Sequence, residues 1–590
     1  MYTHIKGVQI LISLLKQFNI RHIIISPGTR NTALAHSVEN DSFFKCYSIV
    51  DERSAAFFAL GIAEALDVPA CVTCTAATAT CNYMPAIKEA YEKNIQLIAL
   101  TADQDQYGMF HMEDQCIDQV DMYHGFVKKA IDVPMVKNER DYNYANRIMN
   151  EAFLAVNHNS KGPVQINYRM SYGLDEISTF DVENLPTTRK INRLSVDDIS
   201  DSLIDILEKK ERILVVAGSG YDENLKEKIT EFSEKFNCMV FCDTFSNVSN
   251  SSSHHIFNPK ITCEILKQTE RENIKPDLII TFGNIFYSTI KYFLPDFKND
   301  CESWQIAPDG NVIDGYNNLT KVFECTAFDF FSRLTDTAQG KNNGNYSRFW
   351  EDRLSKIKYP EGKFTNFDVI RIFCKSIPKN SILHTSVLDS IRISNYVDMD
   401  DSVECYANIG ADGIDGAFST FLGQADNNRL SYLMIGDLSF LYDLNSLPLC
   451  SNSNVRILVI NNYAGAEFHK NFGIERINTI NEFVAAGHSN KIQQCFGLAD
   501  FIYLQAYDYD SLSKGLNIFN QKSEKPIIFE VFTDADTDAK TLKAFWKDNI
   551  IYSPKEQKIR NMANKLNLEK LKNTKMFSFA YKILKKLHII

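Results

Sequence analysis

Short apolar runs alternate with amphipathic segments in three parts of the chain, and that rhythm predicts its architecture. Near the N-terminus, Ile5, Val8, Ile10, Leu11, Leu14, Leu15 and Phe18 recur at helical spacing, broken by Lys6, Gln9 and Lys16. This is a core-facing amphipathic helix rather than a leader peptide. Strand-like runs follow at His22–Ile25, Lys45–Val50, Ala70–Cys74 and Ile95–Leu100, each ending in a polar turn that opens a helical segment. Gly162–Asn167 gives a closing strand. After a polar linker, Arg212–Ala217 and Asp277–Phe282 read as strands, and the alternation returns through Leu383, Val403–Tyr406, Tyr432–Ile435, Val455–Ile460 and Ile527–Val531. Repeated strand–loop–helix units imply parallel, doubly wound sheets with ligand sites on the loops after the strands. The reading is α/β, in three domains at 1–182, 195–342 and 360–550, with a tail at 551–590.

Length agrees, since 590 residues exceed what one core accommodates. A net charge of −11 argues against nucleic acid as a partner. Cys71, Cys74 and Cys81 lie in an apolar strand-to-helix segment and read as buried thiols rather than a zinc knuckle, which suits the cytoplasm. No uninterrupted apolar run is long enough to suggest a membrane span. The tail departs from this picture. From Lys555 to Ile590 ten Lys/Arg face two Glu, with apolar residues at helical spacing. Such a helix either docks on a partner or an anionic membrane surface, or packs on its own domain.

The strongest chemical signal is Gly436-Asp437-Leu438-Ser439 at one strand end and Asn461-Asn462 at the next, with Leu441–Leu449 read as a helix between them. Asp437 and Asn462 supply two oxygens for Mg²⁺, the Ala464 carbonyl a third, and a diphosphate the remainder. Either half alone is explained by a turn; the pair at this spacing resembles the thiamine diphosphate motif. That cofactor requires a glutamate hydrogen-bonded to N1′ of its aminopyrimidine. Glu52, placed after a strand read as buried, is the candidate, although in isolation a preference for helix starts is the better explanation of it. Gly218-Ser219-Gly220 is weak as a nucleotide signal, because no further glycine or acidic partner follows at the required spacing.

Several blocks recur in order: Ser-Pro-Gly-Thr-Arg-Asn (26–31), Asp-Glu-Arg-Ser (51–54), Asn-Tyr-Met-Pro-Ala-Ile-Lys-Glu-Ala (82–90), Leu-Thr-Ala-Asp (100–103), Gly-Ala-Asp-Gly-Ile-Asp-Gly (410–416) and Gly-Asp-Leu-Ser-Phe-Leu-Tyr-Asp-Leu-Asn-Ser-Leu (436–447). Together they resemble the 2-succinyl-5-enolpyruvyl-6-hydroxy-3-cyclohexene-1-carboxylate (SEPHCHC) synthase family of menaquinone biosynthesis. The resemblance implies thiamine diphosphate, Mg²⁺, a pyrimidine-binding first domain, a central domain without flavin, and a diphosphate-binding last domain. It also implies a homodimer or homotetramer with shared active sites. It gives Glu52 the aminopyrimidine, Asp437, Asn462 and Ala464 the metal, and Leu438, Ser439, Thr385, Ser386, Gly413 and Thr75 the cofactor. Ile414 becomes the wedge that bends it. Thr29, Arg30 and Gln115 fall at substrate carboxylate contacts, and Lys291 and Arg392 near two further family arginines.

Departures from the family are concentrated at substrate positions. Gln104 and Ile409 stand where the family carries arginine, and Glu467 replaces an apolar contact over the cofactor. The expectation is a 2-oxo acid decarboxylase–carboligase with a changed acceptor, less anionic near Ile409 and cationic or hydroxylated near Glu467. True SEPHCHC synthase, a non-ligating decarboxylase using His111 or His469 as proton donor, and a non-catalytic scaffold are the alternatives.

Overall fold

The computed structural model describes residues 1–220, 222, 224–259, 275–284, 301–337, 340, 345–470, 479–495, 497 and 499–549. Lys291 and the basic tail lie outside them. The chain divides into two compact units, one of residues 1–195, 303–305 and 309–324, the other of 196–302, 306–308 and 325–590.

The first unit holds a six-stranded sheet: β1 (His22–Ile25), β2 (Lys45–Ser48), β3 (Ala70–Cys74), β4 (Leu97–Asp103), β5 (Lys129–Val133) and β6 (Val164–Arg169). The order is β2-β1-β3-β4-β6-β5, with every pair parallel. Inner strands bury both faces. On β4, Ile98 and Leu100 join one core with the N-terminal helix Lys6–Gln17, and Leu97 and Ala99 join another. That second core includes Ala55, Ala56, Ala59 and Ala63 of the helix Glu52–Leu66. Small residues on that helix face let it lie close to the sheet.

The second sheet contains β7 (Asn192–Ser195), β8 (Ile213–Ala217), β9 (Met239–Cys242), β10 (Ile256–Phe257), β11 (Leu278–Phe282), β12 (Glu302–Ile306) and β13 (Leu319–Glu324). Its order is β10-β9-β8-β11-β12-β13-β7. Gly218-Ser219-Gly220 follows β8, and backbone approach accounts for its first glycine. Gly218 N donates to Phe282 O at 2.8 Å, and a Cβ on Gly218 would lie 2.6 Å from Asn284 O.

The third sheet, in the second unit, comprises β14 (Ile382–Thr385), β15 (Glu404–Ala407), β16 (Ser431–Gly436), β17 (Val455–Asn461), β18 (Ile502–Ala506) and β19 (Ile527–Phe532). Its order, β15-β14-β16-β17-β19-β18, repeats that of the first sheet strand for strand, again all parallel. Met434 and Leu458 face one core, Leu433 and Val459 the other. The chain adds β15 on one side of β14 and then β16 on the other. The crevice outside the ends of β14 and β16 is therefore the switch point at which such sheets bind ligands.

Three expectations need correction. β2 is an edge strand with exposed ends rather than a buried one, so Glu52 starts its helix half-buried. Leu441–Leu449 is not one helix: Asp437–Tyr442 is α-helical and Leu444–Leu449 is a 3₁₀ segment containing Pro448. Cys81 is exposed, whereas Cys71 and Cys74 are buried. Among the described residues no helix is long and apolar enough to cross a membrane.

Candidate functional site

Strands β16 and β17 are neighbours with Gly436 opposite Ile460, so the turns that follow them emerge side by side. Asp437, 3% exposed, opens its helix at the first of these turns. One carboxylate oxygen accepts from Leu438 N at 2.8 Å, and the other from Tyr463 N at 2.7 Å. The bond from Tyr463 N draws the loop after β17 onto the carboxylate, while that from Leu438 N holds it to its own helix start, a charge-assisted arrangement. Tyr463 adopts a left-handed φ of 64°, a conformation that glycine or asparagine enters at lower cost.

The asparagine pair divides its work. Asn461 is buried and structural, its Nδ2 donating to Glu530 Oε1 at 2.7 Å and to Asn490 O at 3.0 Å. Asn462 donates Nδ2 to Asp538 Oδ2 at 3.1 Å, which turns its carbonyl oxygen away from that carboxylate. Asp538 also accepts from Thr533 Oγ1 and Asn366 N, and burial pushes its carboxyl up to about 7.

At the end of β14, the Thr385 hydroxyl is fully buried and has no hydrogen-bond partner among the described residues. Ser386 Oγ accepts from Gly436 N at 3.3 Å, tying the two strand ends together. A Cβ on Gly436 would meet nothing within 4 Å, so there is open space beside Asp437. Ser439 is buried in the helix that Asp437 opens. Leu438 beside it, and Gly413 and Ile414, are half-buried, while Ile409 is buried among the core side chains.

Two features were not legible in the sequence. His488 Nε2 stands 3.2 Å from Asp437 Oδ2, and its backbone N donates to Tyr463 O. Arg392 Nη1 donates both to Asp389 Oδ1 at 2.8 Å and to Glu467 Oε2 at 2.7 Å. Glu467 therefore already has a cation, which corrects the expectation of a cationic ligand group there. Neither pairing has a local signal, because 51 and 75 residues separate the partners.

The first unit holds the remaining candidates. Asp51 caps the helix Glu52–Leu66, accepting from Arg53 N and Ser54 N, and so fixes where Glu52 stands. Glu52 is close enough to the end of β3 that its charge adds to the burial raising the Cys74 thiol to about 12. After β1, Gly28 is obligatory, since a Cβ would lie 2.4 Å from Thr75 Cβ. Arg30 is anchored by its backbone N to Thr75 Oγ1 at 3.4 Å and by Nη1 to Met170 O at 3.0 Å. Thr29 is exposed. Gln104 Nε2 donates to Asp114 O at 2.6 Å and Gln115 O at 3.3 Å, bringing these two candidates together while using the side chain on its own loop. Below them lies a buried group that sequence reading missed. Arg169 Nη1 donates to Asp103 Oδ2 at 2.7 Å and to the Gln104 carbonyl at 2.6 Å, and Nη2 to Asp132 Oδ2 at 3.0 Å.

Residues 5–122 match the family model described as "Thiamine pyrophosphate enzyme, N-terminal TPP binding domain". The chain is 33% identical over 561 residues to the SEPHCHC synthase of Bacteroides fragilis, covering 92% of this chain and 99% of that protein. It is 30% identical over 557 residues to the enzyme of the same name from Bacteroides thetaiotaomicron, again covering 92% and 99%. To that of Flavobacterium johnsoniae it is 31% identical over 562 residues, covering 93% and 99%.

Proposed function

The chain belongs to the thiamine-diphosphate-dependent enzyme family that includes the SEPHCHC synthases, and from that premise we propose a specific reaction. It decarboxylates a 2-oxo acid and joins the remaining acyl unit to a second carbonyl or Michaelis acceptor, one different from the acceptor its relatives use.

The observation that carries the cofactor assignment is the convergence of Asp437 and Asn462 at neighbouring strand ends, beside the buried hydroxyl of Thr385, which has no hydrogen-bond partner among the described residues. A buried donor without a partner costs about 1–3 kcal/mol unless a ligand satisfies it, and a diphosphate oxygen is a suitable acceptor. The donor set is all oxygen, as Mg²⁺ prefers. The residues therefore fit the group. Asp437, Asn462 and the Ala464 carbonyl hold the metal; Thr385, Ser386, Leu438 and Ser439 hold the diphosphate. Gly413, Ile414 and Thr75 hold the rest of the cofactor, and Glu52 keeps a proton on its aminopyrimidine nitrogen. When bound, the cofactor supplies the nucleophile and the electron sink for decarboxylation.

Arg30, fixed by Thr75 and Met170, binds the 2-oxo acid carboxylate with Thr29 and Gln115. Residues 1–182 form the pyrimidine-binding domain, 195–342 the central domain and 360–550 the diphosphate-binding domain. The active sites are shared in a cytoplasmic homo-oligomer. The changed acceptor rests on Gln104, whose amide is engaged with its own loop, on Ile409 in the core, and on Glu467. Incubation with thiamine diphosphate, Mg²⁺, 2-oxoglutarate and isochorismate tests it. Consumption of 2-oxoglutarate without SEPHCHC supports the changed acceptor. Efficient SEPHCHC formation refutes it and favours the reading suggested by the relatives' shared name.

A further inference from the structure

Arg392 and Glu467 reach each other from opposite sides of the strand that carries the Gly-Asp turn. Arg392 lies in the short helix Asp389–Ser394, three residues beyond Ser386 at the end of β14. Glu467 lies in Ala466–Lys470, just past Ala464 after β17. β14 and β17 flank β16 in the sheet, so the pair links the two segments that leave the strands on either side of Asp437. A single guanidinium nitrogen donates to two carboxylates, Asp389 at 2.8 Å and Glu467 at 2.7 Å, and all three side chains are at least four-fifths buried. Asp389 in turn accepts from Asn366 Nδ2 at 3.4 Å, which helps to fix the carboxylate that Arg392 meets on its own helix.

An arginine in this position, offered to solvent, would be a strong fork for a carboxylate. Here one nitrogen of that fork, Nη1, is already shared between two carboxylates. A substrate carboxylate that takes Nη1 would have to displace Glu467 and would then face a second, largely buried carboxylate, which opposes its binding. Asp412, whose charge also acts on Glu467, adds to that repulsion.

We propose that Glu467 determines acceptor specificity by holding Arg392 against Asp389, so that this side of the site takes an acceptor carbonyl compound that is uncharged there. Glu467 is a positioning residue in this account, acting through the arginine. The proposal rests on the reading of this site as a carboligase, and names the acceptor class that reading leaves open.

The test uses protein loaded with thiamine diphosphate and Mg²⁺, without a 2-oxo acid, and a matched pair of probes, butanal and 4-oxobutanoate. Affinities are measured by calorimetric titration for wild type, Glu467→Ile, Glu467→Gln, and Glu467→Ile combined with Arg392→Gln. Removing Glu467 is expected to strengthen 4-oxobutanoate binding about tenfold or more, with little effect on butanal. Glu467→Gln, which keeps the hydrogen bond but not the charge, is expected to fall between. Adding Arg392→Gln is expected to abolish the gain. The proposal is overturned if Glu467→Ile leaves 4-oxobutanoate affinity unchanged, or if the gain survives loss of Arg392. Release of CO₂ from a 2-oxo acid by the wild-type protein reports separately on the carboligase reading, so the two failures are distinguishable.

Discussion

Asp437 has a structural duty as well as its proposed metal. Its two oxygens receive Leu438 N and Tyr463 N, so the carboxylate closes the turn after β16 onto the loop after β17. Asp437→Asn would point an amide N–H₂ at one of these donors. The expected outcome is a loss of about 1–3 kcal/mol in denaturant unfolding of the cofactor-free protein. Thiamine diphosphate affinity in the presence of Mg²⁺ is expected to weaken by about 100-fold or more, read by fluorescence quenching. Glu467 gives a second prediction. Burial lifts its carboxyl from 4.5 to about 7, with Arg392 pulling it partly back. The folded chain thus holds this proton more tightly than the unfolded chain does. The associated stability is complete below about pH 4.5 and lost as pH rises to about 7, on the order of 2–3 kcal/mol. Melting curves from pH 5 to 8 should show wild type losing stability relative to Glu467→Gln; parallel profiles would exclude the shift. The residues of this cluster were each visible in the sequence, but their pairing was not. Arg392 and Glu467 were marked independently as substrate positions, and only the fold shows that they occupy each other.

Legibility at the scale of elements followed burial only in part, since β9 (Met239–Cys242), buried throughout, went unread, as did the short β7 and β10. β1 and β3 have the bounds their apolar runs predict, because strands buried on both faces spell continuous hydrophobic stretches. β5 (Lys-Ala-Ile-Asp-Val) and β18 (Ile-Tyr-Leu-Gln-Ala) went unread, since an edge strand keeps polar side chains at its rim. β12 and β13 were missed because their burial is interrupted by Glu302, Thr320 and Lys321. The turn after β1 was read as opening a helix and, by resemblance, as carrying the substrate contacts Thr29 and Arg30, and its physical constraint is Gly28. Gly28→Ala would bring a methyl 2.4 Å from Thr75 Cβ, so the Thr29-Arg30 segment must move. The expected cost is about 1–3 kcal/mol of stability. A raised KM for the 2-oxo acid should accompany it, because the displaced arginine is the proposed carboxylate contact. Steady-state kinetics with the donor varied would check this.

For the molecule as a whole, the first and third sheets share one strand order, and the proposed cofactor residues divide between them. Glu52 opens a helix whose outer face exposes Phe57, Phe58 and Leu66, with Val50 beside it, in a chain considered alone. Exposed aromatic and aliphatic side chains on one helix are suited to a protein interface. Sedimentation velocity is expected to show a dimer or larger, and Phe58→Asp to lower both association and thiamine diphosphate affinity. A monomer with full cofactor affinity would contradict shared sites. The family resemblance was readable because its blocks fall at strand ends, where cofactor geometry restricts residue choice. The acceptor was not readable, since it depends on side chains brought together from distant loops.

Glu52 is the residue proposed to link the cofactor to catalysis, and replacing it tests the central claim most directly. Wild type and Glu52→Gln are compared for CO₂ release from a 2-oxo acid with and without thiamine diphosphate and Mg²⁺, alongside cofactor affinity. The account expects release that depends on both additions in wild type. In Glu52→Gln it expects release about 10²–10⁴-fold slower, with the cofactor still bound. Equal cofactor-dependent release by the two proteins would contradict it.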